Sequence, residues 1–310
     1  MIEKEKILIL LFIIIGTNIF AQKYEIEQII QSARKGEVFN GNIENIYKSE
    51  NETKVLKLLK PYCTDVTQQV RIQSINIIAT VGKKSKNIDT RIQAVDILSQ
   101  ACLSKDKLTI FNSVSQLKYF KKEDFSEQAK KTISNIIQNT PPYYNDFVLL
   151  AGFLQLNNLK DFFKKQILNE KLKFSTMWKI DIALARMNDY DAIATAIALI
   201  KLNNSKIDDN FIYDIVPDLI YTRSKVIYSQ ILIEILNSNE KNCMPANPNS
   251  TEKILCAYRV MEYLAPVIEN YPYKLSVSGD LETENYDKAL ENIRNWFANN
   301  PQYKIKKIDY

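Results

Sequence analysis

Apolar residues recur at intervals of three and four along most of the chain, the period of amphipathic helices. The clearest case is a motif, Arg71-Ile72-Gln73-Ser74-Ile75, that returns twenty residues later as Arg91-Ile92-Gln93-Ala94-Val95. The second copy places small and apolar residues on one side of a helix: Ala94, Val95, Leu98, Ala101 and Cys102. The first copy does the same with Ser74, Ile75, Ile78, Val81 and Gly82. The pattern therefore predicts two consecutive helices, each with an apolar face that it cannot bury alone.

The same period predicts helices over much of the remaining chain. One helix is expected upstream, at Thr53–Leu59, and ten more follow at Leu108–Phe120, Ser126–Ile137, Tyr144–Leu156, Leu159–Leu168, Ser175–Met187, Asp191–Leu202, Asn210–Tyr221, Ser224–Leu236, Thr251–Val267 and Asn285–Ala298. Asp124 with Glu127, and Asn249 with Glu252, have the spacing of helix-start signals. We expect an irregular connection over Pro272–Glu284 and a C-terminal capping helix near residues 285–298.

The scarcity of glycine favours helices over sheets. Six glycines occur in 310 residues, and one of them, Gly16, lies in the N-terminal apolar segment. Sandwiches, barrels and doubly wound sheets need glycine-rich turns. The sequence therefore predicts an all-α fold, an α-solenoid that forms one domain over residues 22–310.

Residues 65–103 resemble HEAT and HEAT-like repeats. The stretches Val70-Arg71-Ile72-Gln73-Ser74 and Thr90-Arg91-Ile92-Gln93-Ala94 are similar to the valine-arginine-x-x-alanine signature of that family, and Asp89 stands near its usual aspartate. The resemblance implies a solenoid of antiparallel helix pairs in which Arg71 and Arg91 tie one helix to another through acidic partners. A ligand-binding role for these arginines stays open. The spacing of twenty fits either two repeats or the two helices of one repeat.

The N-terminus has the layout of a secretory signal peptide. Lys4 and Lys6 precede nine apolar residues, Ile7–Ile15, and Ala21 ends the segment. A membrane-spanning helix needs about 20 apolar residues. We therefore expect cleavage after Ala21, a secreted or periplasmic protein, and no stable membrane insertion. An uncleaved anchor is the alternative.

Net charge and residue types narrow the chemistry. The surplus of +5 is small and scattered, which is typical of a solvated surface and not of a nucleic-acid site. The chain has no histidine, so it lacks Ser-His-Asp and Cys-His nucleophile systems and histidine-based zinc sites. It also contains no glycine-rich phosphate loop and no calcium-loop motif. We therefore predict no catalytic residues, cofactor or metal, and leave the binding residues unassigned.

Two functions from different classes remain. The first is an exported, non-enzymatic scaffold that binds a protein partner, with an inhibitor or immunity-type protein as a special case. The second is a carbohydrate-active or lyase-type enzyme that uses paired carboxylates. The acidic groupings of the chain sit where helix caps are expected: Asp181 with Asp189 and Asp191, and Asp208 with Asp209. The binding function is therefore preferred.

The four cysteines allow three pairings. Cys243 and Cys256 are close in sequence and bracket a segment rich in proline and asparagine, so they are the candidate disulfide. Cys102 already has a place on an apolar stripe and is expected to be a small core residue.

Overall fold

Regular secondary structure is entirely helical in the residues that the structure, a computed structural model, describes: 23–37, 52–169, 171–203, 207–245, 249–306 and 310. Extended pairing in this part of the chain is limited to three isolated bridges. The chain falls into two compact units that divide between Phe147 and Val148. The predicted signal peptide, residues 1–21, lies outside the described residues.

The described part of unit 1 contains six helices and the start of a seventh. They are α1 (23–35), α2 (Glu52–Leu59), α3 (Gln68–Lys84), α4 (Ile88–Ala101), α5 (Lys107–Leu117), α6 (Glu127–Gln138) and α7 (Tyr144–Leu154). Short 3₁₀ turns occupy Lys60–Thr64 and Lys122–Asp124. Side-chain caps begin α4, α5 and α6, where the oxygens of Asn87, Asp106 and Ser126 accept hydrogen bonds from backbone N–H groups of the first turn. The helix at 23–35 was not predicted.

The helices of unit 1 pack in chain order. Each of α2, α3 and α4 contacts the next helix and the one after it. Both predicted stripes are buried at these contacts, and Ile75, Ile78, Val95 and Leu98 are fully shielded from solvent. Gly82 allows α3 and α4 to approach closely, because a Cβ atom there would lie 2.5 Å from the Ala94 Cβ. The repeated motif therefore supplies the buried apolar faces of two consecutive helices, α3 and α4.

Among its described residues, unit 2 contains the end of α7 and seven further helices. They are α8 (Lys160–Ile167), α9 (Phe174–Arg186), α10 (Tyr190–Leu202), α11 (Val216–Tyr221), α12 (Lys225–Ile231), α13 (Ala257–Leu264) and α14 (Tyr286–Asn299). A 3₁₀ turn at Asn157–Leu159 precedes α8. Sequential contacts recur here, since α9 packs on α10 and α11, and α11 packs on α12 and α13. The last helix, α14, lies where the sequence predicts a helix and packs on α13.

Two predicted helices of unit 2 are partly π-helical. Phe211–Ile215 precedes α11, and Leu232–Leu236 follows α12. The first case has a local cause, because Pro217 lacks the N–H that would bond the Tyr213 carbonyl in an α-helix. The Val216 N–H bonds the Phe211 carbonyl instead, five residues back. The wider turn places Tyr213 at the surface, with 51% of the residue exposed.

Three local predictions were wrong. The helix expected over Thr251–Val267 begins only at Ala257, because Ile254 exchanges backbone hydrogen bonds with Cys243 in an extended bridge. Asn249 and Glu252 therefore start no helix. Asp124 does not cap α6, which is capped by Ser126, since one oxygen of Asp124 is bonded to Arg91.

Candidate functional site

The two repeated arginines of unit 1 make equivalent contacts. Arg71 donates through Nη1 to the Asp65 and Val66 carbonyls at 2.7 and 3.0 Å, and through Nε to the Thr109 hydroxyl at 3.0 Å. Its Nη2 lies 3.2 Å from a carboxylate oxygen of Asp106. The pKa of Asp106 is held well below its usual range, first by the hydrogen bond from the Thr109 side chain. Arg71 thus joins the start of α3 to the start of α5.

Arg91 repeats this geometry one helix later. Its Nη1 donates to the carbonyls of Ser85 and Lys86, which stand six and five residues before it, as Asp65 and Val66 stand before Arg71. Its Nε donates to a carboxylate oxygen of Asp124 at 2.7 Å. Asp124 is almost fully buried and precedes α6. Arg71 therefore links α3 to the start of α5, and Arg91 links α4 to the turn before α6.

The cysteines form one bridge and two separate thiols. Cys243 and Cys256 are joined, with their Cα atoms 5.1 Å apart. Cys63 and Cys102 are free and buried, and burial raises the pKa of Cys63 to about 12. Throughout the described part of the chain, no three His, Cys, Asp or Glu side chains are grouped as metal ligands would be.

A cleft of about 560 Å³ in unit 2 is the strongest candidate for a functional site. We call it the unit-2 cleft and define it by its lining residues: Leu149, Tyr213, Pro217, Asp218, Ile220, Tyr221, Arg223, Arg259, Glu262, Tyr263, Pro266, Val267, Leu275, Gly279 and Tyr310. Its volume is in the usual range for ligand pockets. Four tyrosines, two arginines and two acids therefore share one concave surface.

Three parts of unit 2 build most of the cleft, and Leu149, Arg223 and Tyr310 complete its lining. The π-helical turn and α11 supply the wall from Tyr213 to Tyr221, and α13 with the turn after it supplies the wall from Arg259 to Val267. A hairpin-like loop adds Leu275 and Gly279. This loop is closed by the bridge between Leu275 and Leu281 and turns through Gly279, whose φ of 91° is a conformation that glycine adopts without strain.

Both acids of the cleft have partners for each of their oxygens. Asp218 accepts from the Trp178 indole N–H at 2.7 Å and from the Lys179 ammonium at 2.6 Å. Glu262 accepts from the Tyr286 hydroxyl at 2.7 Å and from Arg259 at 3.4 Å. Each carboxylate is therefore held in place by structural contacts.

The arginines of the cleft are less fully engaged. Arg223 donates to the Ile220 carbonyl, to a main-chain oxygen of Tyr310 and to the Tyr228 hydroxyl, at 2.9, 3.4 and 3.3 Å. The Nε atoms of Arg223 and Arg259 are buried and have no hydrogen-bond partner among the described residues. Arg223 also has a φ of 53°, which is costly for a residue with a side chain.

A third arginine lies beside the cleft. Arg186 is 5% exposed, and its guanidinium stacks 4.3 Å from the ring centroid of Tyr221 and donates to the Tyr221 carbonyl at 2.8 Å. Burial lowers the pKa of Arg186, and the charge of Arg223 lowers it further. Arg186 therefore packs against Tyr221, which lines the cleft.

The acidic groupings considered from sequence lie outside the cleft. Asp189 caps α10 and pairs with Lys164 at 2.8 Å, and Asp208 bonds the Phe211 N–H, as expected of caps. Asp181 is not a cap, because it lies inside α9. Burial and then the charge of Asp189 raise the pKa of Asp181 to about 6.

No motif in the sequence marks the residues that line the cleft. Tyr221 and Arg223 end one helical stretch, and Arg259 and Tyr263 lie in another about forty residues later. Aromatic residues and arginines do recur in both stretches, but the sequence does not show that the two faces meet. Comparison with known protein families, with curated proteins and with solved structures found no match.

Proposed function

We propose that this chain is an exported, non-enzymatic protein-binding module built from HEAT-like helical repeats arranged as an α-solenoid. Two features support the repeat architecture. Arg71 and Arg91 both bond, through Nη1, the carbonyls six and five residues before them, and helices in each unit pack on their neighbours in chain order. Such nearest-neighbour packing is characteristic of helical repeats.

The observation that carries the binding function is the composition of the unit-2 cleft. Its surface combines tyrosines with arginines, the residue types that dominate binding energy at protein interfaces. Tyr213 is half-exposed at the cleft, so its ring is open to contact with a partner. A partner that covered Tyr213 and Tyr263 would bury this surface.

The cleft acids favour binding over carboxylate catalysis. A glycosidase or lyase of the predicted alternative type needs one carboxylate as acid or base and a second as its counterpart. In the cleft, Asp218 is tied to Lys179 and Trp178, and Glu262 to Arg259 and Tyr286. A proton-transfer role would require these contacts to break.

An oxidising compartment outside the cytoplasm is consistent with the Cys243–Cys256 bridge. We propose export to the periplasm or the medium after removal of residues 1–21. Among the described helices, none has the length and apolar character needed to cross a bilayer. The intact mass of the exported protein tests the cleavage, since a mass that includes residues 1–21 would mean an anchored protein.

The binding function is tested by affinity capture from the native envelope fraction. The bait is the mature protein, compared with a Tyr213→Ala/Tyr263→Ala variant that removes two aromatic walls of the cleft. We expect partners that the wild type captures and the variant does not. Tyr190→Ala is the matched control, because Tyr190 is 82% exposed and does not line the cleft. Equal capture by all three proteins would contradict the proposed role of the cleft.

A further inference from the structure

The side chain of Tyr310 lies in the unit-2 cleft between aromatic neighbours. Its ring centroid is 5.7 Å from that of Phe153 and 5.4 Å from that of Tyr221, in edge-on and tilted contacts. Aromatic pairs prefer such arrangements. The Tyr310 hydroxyl oxygen is buried although the residue as a whole is only half-buried, so the ring points inward with its tip. We call the site that Phe153 and Tyr221 form around this ring the aromatic slot.

The walls of the aromatic slot are held by contacts that do not involve Tyr310. The Tyr221 hydroxyl donates to the Leu149 carbonyl. The Arg186 guanidinium stacks on both wall residues, 4.3 Å from the ring centroid of Tyr221 and 5.1 Å from that of Phe153. We therefore expect the slot to keep its shape when the Tyr310 ring leaves it, and a preorganised site binds at a lower cost.

Tyr310 can leave the slot without disrupting a helix. It belongs to none of the helices, and the hydrogen bond from Arg223 to its main-chain oxygen is long, at 3.4 Å. The chain is fixed four residues earlier, where the Lys306 N–H bonds the Val267 carbonyl at 2.8 Å. With Tyr310 in place, the cleft still has a volume of about 560 Å³. An incoming side chain therefore has room to approach the slot.

We propose that the protein partner inserts an aromatic side chain into the aromatic slot in exchange for Tyr310. The proposal rests on the protein-binding function and adds the chemistry of the partner's anchoring residue. The seated ring of Tyr310 argues for this occupant, because a partner's tyrosine or phenylalanine would gain the same contacts with Phe153 and Tyr221. Tyr310 then competes with the partner, since only protein with an open slot can bind it.

Isothermal titration of the wild type and Tyr310→Ala with N-acetyl-L-tyrosinamide tests the exchange. The apparent affinity of a ligand is reduced by the fraction of protein whose site is open, so we expect Tyr310→Ala to bind this probe at least about tenfold more tightly than the wild type. N-acetyl-L-alaninamide, which lacks the ring, should show no such difference. Equal affinities of the two proteins for the tyrosine probe would overturn the proposal.

Three further variants control for loss of packing. Tyr310→Phe keeps the ring and should bind the probe as weakly as the wild type. Tyr303→Ala is the matched control, because Tyr303 is also half-buried, packs on Phe297 with ring centroids 5.1 Å apart, and does not line the cleft. A gain in probe affinity at Tyr303→Ala as large as that at Tyr310→Ala would overturn the proposal. Thermal unfolding confirms that each variant is folded. If Tyr310→Ala is not, Tyr310→Leu provides the same comparison with more of the slot filled.

Capture from the envelope fraction connects the slot to the partner. Tyr310→Ala should retain more of the proteins whose capture depends on Tyr213 and Tyr263, and an excess of N-acetyl-L-tyrosinamide should release them. Retention that neither the variant nor the probe changes would overturn the aromatic anchor. Failure here is separable from failure of the proposed function. If capture depends on Tyr213 and Tyr263 but the probe binds the wild type and Tyr310→Ala alike, the protein-binding function stands and the exchange with Tyr310 is wrong.

Discussion

The arginines of unit 1 and those of the unit-2 cleft have different environments. Arg71 and Arg91 each donate from Nε and Nη1 to acceptors of their own unit and face carboxylates with Nη2. In the cleft, Arg223 and Arg259 each keep a buried Nε–H without an acceptor among the described residues. Arg71 and Arg91 tie helices together, whereas the cleft arginines are less fully bonded. The role of an arginine in this protein therefore follows from its tertiary contacts and not from residue type alone.

The largest expected effect comes from the apolar stripe on which the unit 1 arginines depend. Leu98→Ala should lower the free energy of unfolding by about 2–5 kcal/mol, because Leu98 is fully buried in α4 and its loss leaves a cavity. Leu103→Ala is the control, since Leu103 is mostly exposed just after α4. Denaturant unfolding measures both. A similar small change in the two variants would show that this face of α4 is not part of the core.

The second largest effect on stability is expected from removing an arginine whose hydrogen-bond donors are occupied. Arg91→Gln should destabilise the protein by about 2–4 kcal/mol, because it leaves the buried carboxylate of Asp124 without its cationic partner. Arg34→Gln breaks an exposed ion pair and should destabilise the protein much less. Denaturant unfolding measures the free energy of unfolding of both variants. Equal losses would show that the Arg91–Asp124 pair stabilises the protein no more than an exposed ion pair does.

The Cys243–Cys256 bridge is expected to stabilise unit 2, as the arginine contacts stabilise unit 1. Cys243 and Cys256 are 13 residues apart, and the loop-entropy estimate for a bridge of that span is about 3 kcal/mol. The Cys243→Ser/Cys256→Ser variant should therefore lose about 2–3 kcal/mol, and reductant should destabilise the wild type but not the variant. Peptide mapping without reductant supplies the direct check. Recovery of the two cysteines as separate thiols would rule out the bridge.

A smaller, pH-dependent effect is expected at Asp181. Its folded pKa of about 6 lies above the ordinary 3.8, so its stabilising contribution is complete below about pH 3.8 and is lost as pH rises through 6. Asp181→Asn should therefore stabilise the protein at pH 7.5 by about 1–2 kcal/mol, reduced for partial exposure, and should have no stabilising effect below pH 4. Melting temperatures across this range measure it. A stabilisation independent of pH would argue against titration of Asp181.

The helices could be predicted from sequence because their apolar faces repeat locally. The stripes around Ile75 and Leu98 lie within single helices, so a window of a few turns contains the whole signal. The departures from the predicted helices have physical causes that apolar periodicity does not reveal. Pro217 widens the turn before α11, and the pairing of Ile254 with Cys243 delays the start of α13.

The cleft could not be predicted because its walls come from distant segments. Arg223 follows α11 and Arg259 belongs to α13, and their shared cleft depends on how those helices pack. The repeated sequence motif contains Arg71 and Arg91, whose donors are occupied within unit 1. Whether an arginine has spare donors depends on tertiary contacts and is absent from the sequence pattern.

The most direct test of this account compares Arg91→Gln with the Tyr213→Ala/Tyr263→Ala variant in two measurements, the free energy of unfolding and the capture of partners from the envelope fraction. We predict that Arg91→Gln loses about 2–4 kcal/mol of stability and captures the same partners as the wild type. The tyrosine variant should lose less stability than Arg91→Gln and should lose those partners, because both tyrosines line the cleft and Tyr213 is half-exposed. Unchanged capture by the tyrosine variant, with a stability loss as large as that of Arg91→Gln, would show that the cleft tyrosines are structural and would contradict the account.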